Sequence, residues 1–216
     1  MLLSIILFTG CTVVRIDTTN IDNIISVVLS KKNTLYNRVG KGYKYYVPRG
    51  VTYIDTTELN DKLYSNGNYY YLYIDAVGYF YKNNIDYELD AVSYYHKVKV
   101  NYKENKDAYY SKKIDVSDKE GYLEIQKQKN DKYVIEFVYN YAKIEAMVDK
   151  EDINEVVLNA SYILSTVKFN NKVIKLMLNE TYFTNKEEKY DIFADKDNNV
   201  SNSHVVEYEE DNKGND

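Results

Sequence analysis

The sequence predicts an α+β domain in which an antiparallel β-sheet is covered by one long amphipathic helix and a shorter N-terminal helix. Strands are indicated by apolar residues that alternate with polar ones, most clearly in 69–75 and 121–148. Helices are indicated by apolar residues that recur every three or four positions, in 21–32 and 153–167. Antiparallel strands together with amphipathic helices are typical of a layered α+β domain.

The length and composition suit one domain with its own hydrophobic core. The chain has 216 residues, of which 44% are hydrophobic, within the ordinary globular range. A single cysteine cannot form an internal disulfide, so the core alone must stabilise the fold. The predicted organisation is a signal peptide at 1–10, a short tether at 11–20, one α+β domain at 21–194 and an acidic tail at 195–216.

The net charge of −5 is concentrated near the C-terminal end. Residues 195–216 contain seven acidic and two basic side chains, which leaves 26 of each kind in residues 1–194. A formally neutral body argues against nucleic-acid binding, which requires a basic patch. The acidic segment lacks periodic apolar positions and is predicted to be disordered and solvated. A weak contact with calcium or a cationic polymer is the alternative.

The first element is a helix at 21–32. Asn20 is placed as its N-cap. The apolar positions share one side of this helix, and they are Ile21, Ile24, Ile25, Val28 and Leu29. Because the helix begins so soon after Cys11, the tether before it is short.

The next segments are predicted to be mostly extended. The segments 43–47 and 51–55 flank Pro48-Arg49-Gly50, which predicts a turn between two paired strands. Segment 59–64 is predicted to form a short helix before the breaker Ser-Asn-Gly-Asn. Segment 69–75 is predicted to be a strong strand. Segment 75–82 recurs approximately as 90–97, which indicates either two similar strands joined by a loop or chance in a Tyr-rich chain.

Three antiparallel strands are predicted in 121–148. A turn at 129–131 places Leu123 opposite Phe137 and Ile125 opposite Ile135, so that the apolar faces agree. The same register places Glu124 opposite Glu136 on the other face. Segment 141–148 continues the sheet, with its even-numbered apolar residues in phase.

The helix that follows has the most regular pattern in the chain. Its apolar residues are Ile153, Val156, Val157, Ala160, Ile163, Leu164 and Val167. Asp149 is placed to cap it, and Glu151 and Asp152 suit the positive end of the helix dipole. A further strand is predicted at 172–178 and a short helix at 186–193.

The order of these elements resembles the PsbP-like α/β/α sandwiches. The resemblance is carried by the Tyr-Val-Pro-Arg-Gly strand pair, the strands after it and the helix that ends in Ile-Leu-Ser-Thr-Val-Lys-Phe at 163–169. It covers 43–178. It implies an accessory or binding domain and brings no catalytic residues with it.

The N-terminal segment resembles a bacterial lipobox. Phe8-Thr9-Gly10-Cys11 follows an apolar run, with Gly10 as the small residue before the cut and Phe8 where the family usually has Leu. The resemblance implies that Cys11 carries diacylglycerol and fatty acid, such as palmitate, on the extracytoplasmic face of a cell membrane. The alternative is a buried N-terminal segment with a free cysteine in the core.

Residues that carry chemistry are sparse. Glu124 and Glu136 could form a carboxylate pair in which one pKa is raised, although lysines nearby, such as Lys127 and Lys143, favour an ordinary solvated face. His96 and His204 are isolated and have no metal-ligand spacing. No nucleophile or phosphate-binding motif is present. The sequence therefore predicts no enzyme, no metal and no cofactor.

Tyrosines are the remaining candidates for partner binding. The chain has 26 Tyr and no Trp, a bias that AT-rich codons alone would explain. Tyr69, Tyr71 and Tyr73 would share one face of their strand, and Tyr43 and Tyr45 would extend it if the strands were neighbours. The alternative is that helix 21–32 buries this face.

These features together predict a membrane-anchored lipoprotein that works as a binding or accessory module. Its expected partners are the membrane, through the lipid, and an envelope protein or glycan. A solute- or glycan-binding receptor is the alternative, and it requires a cleft. A hydrolase that uses Glu124 and Glu136 is the third possibility.

Overall fold

The computed structural model describes residues 16–57, 59–83 and 102–179. Within these ranges the chain forms four α-helices, namely α1 (Ile21–Ser30), α2 (Ala76–Asn83), α3 (Ile153–Thr166) and α4 (Asn171–Asn179). The strands of the same ranges are β1 (Arg38–Val39), β2 (Tyr43–Tyr45), β3 (Thr52–Thr57), β4 (Asn60–Ser65), β5 (Asn68–Ile74), β6 (Tyr110–Val116), β7 (Lys119–Lys127), β8 (Tyr133–Tyr139), β9 (Ala142–Val148) and β10 (Lys168–Phe169). The predicted α+β class is confirmed.

Seven of these strands form one antiparallel sheet in the order β3-β4-β5-β9-β8-β7-β6. The register predicted for 121–148 is confirmed, because Leu123 lies opposite Phe137 and Ile125 opposite Ile135. β9 extends this meander and then pairs with β5, which joins the two halves of the sheet. The chain therefore places β5 and β9 at the centre and β3 and β6 at the edges.

One face of the large sheet forms the hydrophobic core. Side chains from its central strands are almost fully buried there, namely Leu63, Tyr70, Leu72, Leu123, Ile125, Ile135, Phe137, Ile144 and Ala146. Helices α1 and α3 pack against each other, and α3 also packs on β8 and β9. Each large apolar side chain buried in this way contributes about 1.5–3 kcal/mol to stability. This face is therefore the main source of the folding energy.

The starts of α1 and α3 differ in how they are capped. Asn20 caps α1 as predicted, because its Oδ1 accepts a hydrogen bond from the Asn23 N–H at 3.0 Å. Asp149 does not cap α3 with its side chain. It begins a 3-10 turn, and its carboxylate pairs with the Lys132 ammonium at 2.6 Å. The Lys132 ammonium, just before β8, thus engages the Asp149 carboxylate.

A second sheet of three strands lies beside the first, in the order β1-β2-β10. It is joined to the main body by polar contacts: the Tyr46 N–H donates to Thr166 Oγ1 at 2.9 Å, and Asn140 Nδ2 donates to the Val167 carbonyl at 2.8 Å. The ring of Tyr79 stacks on Phe169 with centroids 4.0 Å apart. Helix α4 packs on α2, and its Ile174 approaches Gly42 in the turn before β2.

The predicted hairpin between 43–47 and 51–55 is wrong. β2 pairs with β1 and β10, whereas β3 pairs with β4. The turn itself is present, since the Val51 N–H donates to the Pro48 carbonyl at 3.1 Å, but it carries the chain from one sheet to the other. β2 buries Tyr43 and Tyr45, and the mostly exposed strand β3 would not provide that burial.

Two other local predictions are also wrong. Segment 59–64 belongs to strand β4 because it pairs with β5 across the Asn66-Gly67 turn. Segment 172–178 belongs to helix α4, which buries Ile174 and Met177 three residues apart. Of the two interpretations of the similarity between 75–82 and 90–97, two similar strands is excluded, because Ala76–Asn83 forms α2. The predictions that lie outside the described residues concern 1–15, 90–97, 186–193 and 195–216.

Candidate functional site

Glu124 and Glu136 lie side by side on the face of the large sheet that faces away from α1 and α3. They are directly opposed in the pairing of β7 with β8, and Glu145 of β9 continues the row. The hydroxyl of Tyr102 donates a hydrogen bond to Glu124, and the hydroxyl of Tyr122 donates to Glu136 at 2.5 Å. The predicted opposition of the two glutamates is therefore confirmed, and a tyrosine hydroxyl is hydrogen-bonded to each carboxylate.

The pKa of Glu124 is lowered, contrary to what an acid catalyst needs. Partial burial raises this pKa, but hydrogen bonds from Tyr102, Gln126 and Asn105 together lower it by more. A hydrolytic general acid must instead hold its proton near neutral pH. Glu124 is therefore an ionised hydrogen-bond acceptor in this arrangement. It suits a structural or binding role better than proton donation.

Tyr69, Tyr71 and Tyr73 lie on β5, on this same face of the sheet. Tyr69 and Tyr73 are half-buried, and Tyr71 is only 9% exposed. The Lys62 ammonium lies 4.5 Å from the centre of the Tyr69 ring, and the Lys143 ammonium lies 4.7 Å from that of Tyr73. Helix α1 packs on the opposite face, so it is not what covers these rings. They form a packed row with lysines, and their role in partner binding stays a prediction.

A pocket opens between the two sheets, where β1 and the turn after it meet β3 and β4. Its volume is about 380 Å³, within the range of small-molecule sites. The lining combines cationic, hydroxyl and carboxylate groups, and it consists of Arg38, Val39, Gly40, Lys41, Tyr53, Thr56, Thr57 and Asp61. The lining therefore offers both hydrogen-bond donors and acceptors to a ligand.

The Asp61 carboxylate is the buried acidic group of the pocket lining. Asp61 is 4% exposed, and its Oδ2 accepts hydrogen bonds from the Tyr45 hydroxyl at 2.6 Å and the Tyr43 hydroxyl at 3.2 Å. Burial, followed by the charge of Asp61, raises the pKa of both tyrosine hydroxyls, so both stay protonated and donate. No residue in the described ranges donates a hydrogen bond to Oδ1. This oxygen is therefore available to a ligand.

The wall of the pocket depends on a close turn between β1 and β2. A Cβ on Gly40 would lie 2.2 Å from Cζ of Tyr43, so a side chain there would displace the ring that reaches Asp61. The Gly40 N–H also donates to the Tyr43 carbonyl at 2.9 Å. On the other side, the Arg38 guanidinium lies 3.5 Å above the centre of the Tyr53 ring. This cation–π contact holds the guanidinium against the Tyr53 ring, and both residues line the pocket.

Sequence reasoning missed Asp61 because it assigned segment 59–64 to a helix. In a strand, Asp61 shares a face with Leu63, and the two are 4% and 0% exposed. A charged residue on an apolar strand face is an unusual signal that points to a buried structural or functional carboxylate. Tyr43 and Tyr45, which were expected to extend the tyrosine row, instead bond to this carboxylate.

Comparison with known proteins assigns no relative to this chain. No family model matches it, and no curated protein matches its sequence. Within the described residues, no group of three or more His, Cys, Asp or Glu side chains is arranged to hold a metal ion. In the same residues, no helix has the length and apolar character to cross a bilayer. Cys11, His96 and His204 lie outside the described ranges.

Proposed function

We propose that this chain is an extracytoplasmic binding module, attached to a cell membrane by lipid on Cys11, that takes a small polar ligand in the Asp61 pocket. The observation that carries the ligand-binding part is the Oδ1 oxygen of Asp61. A buried carboxylate is costly unless both of its oxygens are hydrogen-bonded. The protein supplies two donors to Oδ2. A ligand that donates a hydrogen bond to Oδ1 would satisfy the second oxygen of the carboxylate.

The lining indicates the chemical class of the ligand. A hydroxyl or ammonium group would donate to Asp61, while Arg38 and Lys41 would attract an acidic group. Thr56 and Thr57 add hydroxyls that can donate or accept. A sugar acid or an amino acid carries both a hydroxyl or ammonium donor and an acidic group. Such a molecule also fits a pocket of about 380 Å³. This favours the solute- or glycan-binding alternative over a module with a broad exposed aromatic platform.

An enzymatic role has less support than binding. The carboxylate pair of Glu124 and Glu136 is engaged by tyrosine hydroxyls, and the pKa of Glu124 is lowered rather than raised. A hydrolase of the kind considered for this pair would need one protonated member. We therefore propose that the protein binds its ligand without converting it.

The short tether supports a position close to the membrane. Ile16 already packs against the hydrophobic core, and it follows Cys11 by five residues. An extended chain spans at most about 3.6 Å per residue, so the lipid would lie within about 18 Å of the domain. Two or more acyl chains give stable anchoring, whereas one gives marginal binding.

We also infer that the layers correspond to the PsbP-like sandwich that the sequence resembles. In support, α3 packs on β8 and β9 of the antiparallel sheet, α1 packs on α3, and only a 3-10 turn separates β9 from α3. Superposition on an experimental PsbP-like structure tests the inference. A strand order in that structure that differs from the order of the large sheet would contradict it.

Ligand binding is tested by thermal unfolding of the full chain with glucose, glucuronate or alanine added. At ten times its Kd, a ligand stabilises the folded state by about 1.4 kcal/mol, which corresponds to a rise in Tm of about 3–5 °C for a domain of this size. We expect such a rise with glucuronate or alanine and a smaller one with glucose, which lacks the acidic group.

The same measurement is made on the test variant Asp61→Asn and on the matched control Asp55→Asn. Asp55 is an exposed carboxylate on the adjacent strand. The rise in Tm should disappear in Asp61→Asn and persist in Asp55→Asn. A rise that survives in Asp61→Asn would place the binding elsewhere, and no rise with any of the three compounds would contradict the proposed ligand class.

The lipid anchor is tested by Cys11→Ala with Thr12→Ala as the neighbouring control. Membranes are washed with about 1 M salt, which shortens the screening length to about 3 Å and removes proteins held by charge. We expect Cys11→Ala to leave the washed membranes and to lose incorporation of an alkyne fatty acid, whereas Thr12→Ala keeps both. Retention of Cys11→Ala on washed membranes would refute the anchor.

A further inference from the structure

Positive charge is gathered in one part of the domain, which we name the basic layer. It consists of residues 31–50 and 167–179, which contain β1, β2, β10 and α4. The first segment has six Lys or Arg residues and the second has three, and neither contains an Asp or Glu. The nine residues are Lys31, Lys32, Arg38, Lys41, Lys44, Arg49, Lys168, Lys172 and Lys175. The neutral total for residues 1–194 conceals this separation of charge.

The two segments are far apart in sequence, and the small sheet joins them into one body. β2 pairs with β1 on one side and β10 on the other. The Asn170 N–H donates to the Gly42 carbonyl at 2.8 Å, which fixes the start of α4 against the turn after β1. The Lys168 ammonium donates to the Thr34 carbonyl at 3.3 Å. The basic side chains of both segments therefore belong to one layer of the structure.

Exposed apolar side chains occur among these cations. Six large apolar residues are strongly exposed in the described part of the chain, and four of them belong to the basic layer, namely Leu35, Tyr36, Val39 and Leu176, with exposures of 59%, 52%, 72% and 61%. Helix α4 shows the pattern most clearly. It buries Ile174 and Met177, and it exposes Lys172, Lys175 and Leu176.

We propose that the basic layer docks on the anionic headgroups of a membrane, with Leu35, Val39 and Leu176 entering the interfacial region. Basic residues near an anionic bilayer each strengthen binding by roughly fivefold, and aliphatic side chains among lysines add the apolar contact that interfacial surfaces use. A soluble polyanion such as nucleic acid would engage the cations but give the exposed aliphatic side chains no apolar environment. The combination of the two therefore favours a lipid surface.

This docking goes beyond the lipid on Cys11 and does not depend on it. A single acyl chain needs a second signal, such as a basic patch, for stable attachment. The layer would also set the orientation of the domain. Val39 and Lys41 belong to the layer and also line the Asp61 pocket. The pocket would then open at the boundary between membrane and water.

The test uses the full chain with Cys11→Ala, so that no acyl chain contributes. Co-sedimentation is measured with vesicles of pure phosphatidylcholine and with vesicles that contain about 30% phosphatidylglycerol. We expect binding only to the anionic vesicles, and its loss when salt is raised to about 0.5 M. Adding Lys172→Ala and Lys175→Ala should lower the partition coefficient for the anionic vesicles by roughly thirtyfold.

The matched control is Lys106→Ala with Lys129→Ala, two exposed lysines outside the layer. This pair should bind the anionic vesicles within about twofold of the parent protein. Both double variants change exposed side chains, and unchanged Tm values would show that they fold. Equal binding to neutral vesicles, no binding to either kind, or equal loss in the two double variants would overturn the proposal. Binding to heparin or duplex DNA without binding to vesicles would also overturn it.

Discussion

Gly121→Ala is expected to lower the free energy of unfolding by about 3 kcal/mol, the upper end of the cost of overpacking. Gly121 lies on the core face of β7, and a Cβ there would sit 2.0 Å from the Val138 carbonyl oxygen and 2.9 Å from the Tyr139 Cα. Both atoms belong to the backbone of β8, so no side-chain rotation can relieve the clash. Urea unfolding followed by circular dichroism measures the change.

Gly67→Ala provides the control for Gly121→Ala. Gly67 has φ +82 in the turn between β4 and β5, and nothing lies within 4 Å of the position of its Cβ. Alanine there costs only the strain of the left-handed conformation, about 1 kcal/mol. If Gly121→Ala costs no more than Gly67→Ala, the close approach of β7 and β8 at this position is not real.

Asp61→Ala is expected to cost about 3 kcal/mol of unfolding free energy, even without a ligand. Its removal leaves the hydroxyls of Tyr43 and Tyr45 without their acceptor, and these residues are 2% and 0% exposed. Hydrogen bonds to a charged group contribute about 1.5–3 kcal/mol, and buried donors that lose their partner pay a desolvation cost. The same urea titration measures the loss.

Two companion variants separate the hydrogen bonds from general disruption. Tyr45→Phe removes one donor and keeps the ring, so we expect a loss of about 1 kcal/mol. Asp55→Ala removes an exposed carboxylate from β3 and should change stability by less than about 0.5 kcal/mol. If Asp61→Ala behaves like Asp55→Ala, the buried network does not hold the two sheets together, and the pocket has no fixed acceptor.

Sequence periodicity predicted best where one face of a strand or helix is apolar and the partner is a neighbour in sequence. The register of β7 with β8 is such a case, because shifting it by one residue would turn Leu123 and Ile125 away from the core. It also predicted correctly that Glu124 and Glu136 would be opposed. The hydrogen bonds from Tyr102 and Tyr122 were not predictable, since no local pattern shows which hydroxyl crosses a sheet face.

Prediction failed where the partner of a short segment decides its structure. Segments 59–64 and 172–178 are short, and short apolar patterns are ambiguous between helix and strand. Pairing with β5 made the first a strand, and the second is a helix that packs on α2 and buries Ile174 and Met177 near Gly42. The hairpin predicted around Pro48 failed for the same reason, because β2 found its partners in β1 and β10.

The sequence by itself determined the α+β class, the helix α1 with its Asn20 cap and the central meander. Each of these depends on residues that lie close together in the chain. The tertiary structure alone decided the second sheet, the Asp61 pocket and the basic layer. Asp61 meets Tyr43 and Tyr45 only when the two sheets pack together. The lysines of 31–50 and 167–179 likewise form one layer only after β10 pairs with β2. Charge and burial depend on three-dimensional neighbours, which a one-dimensional pattern does not contain.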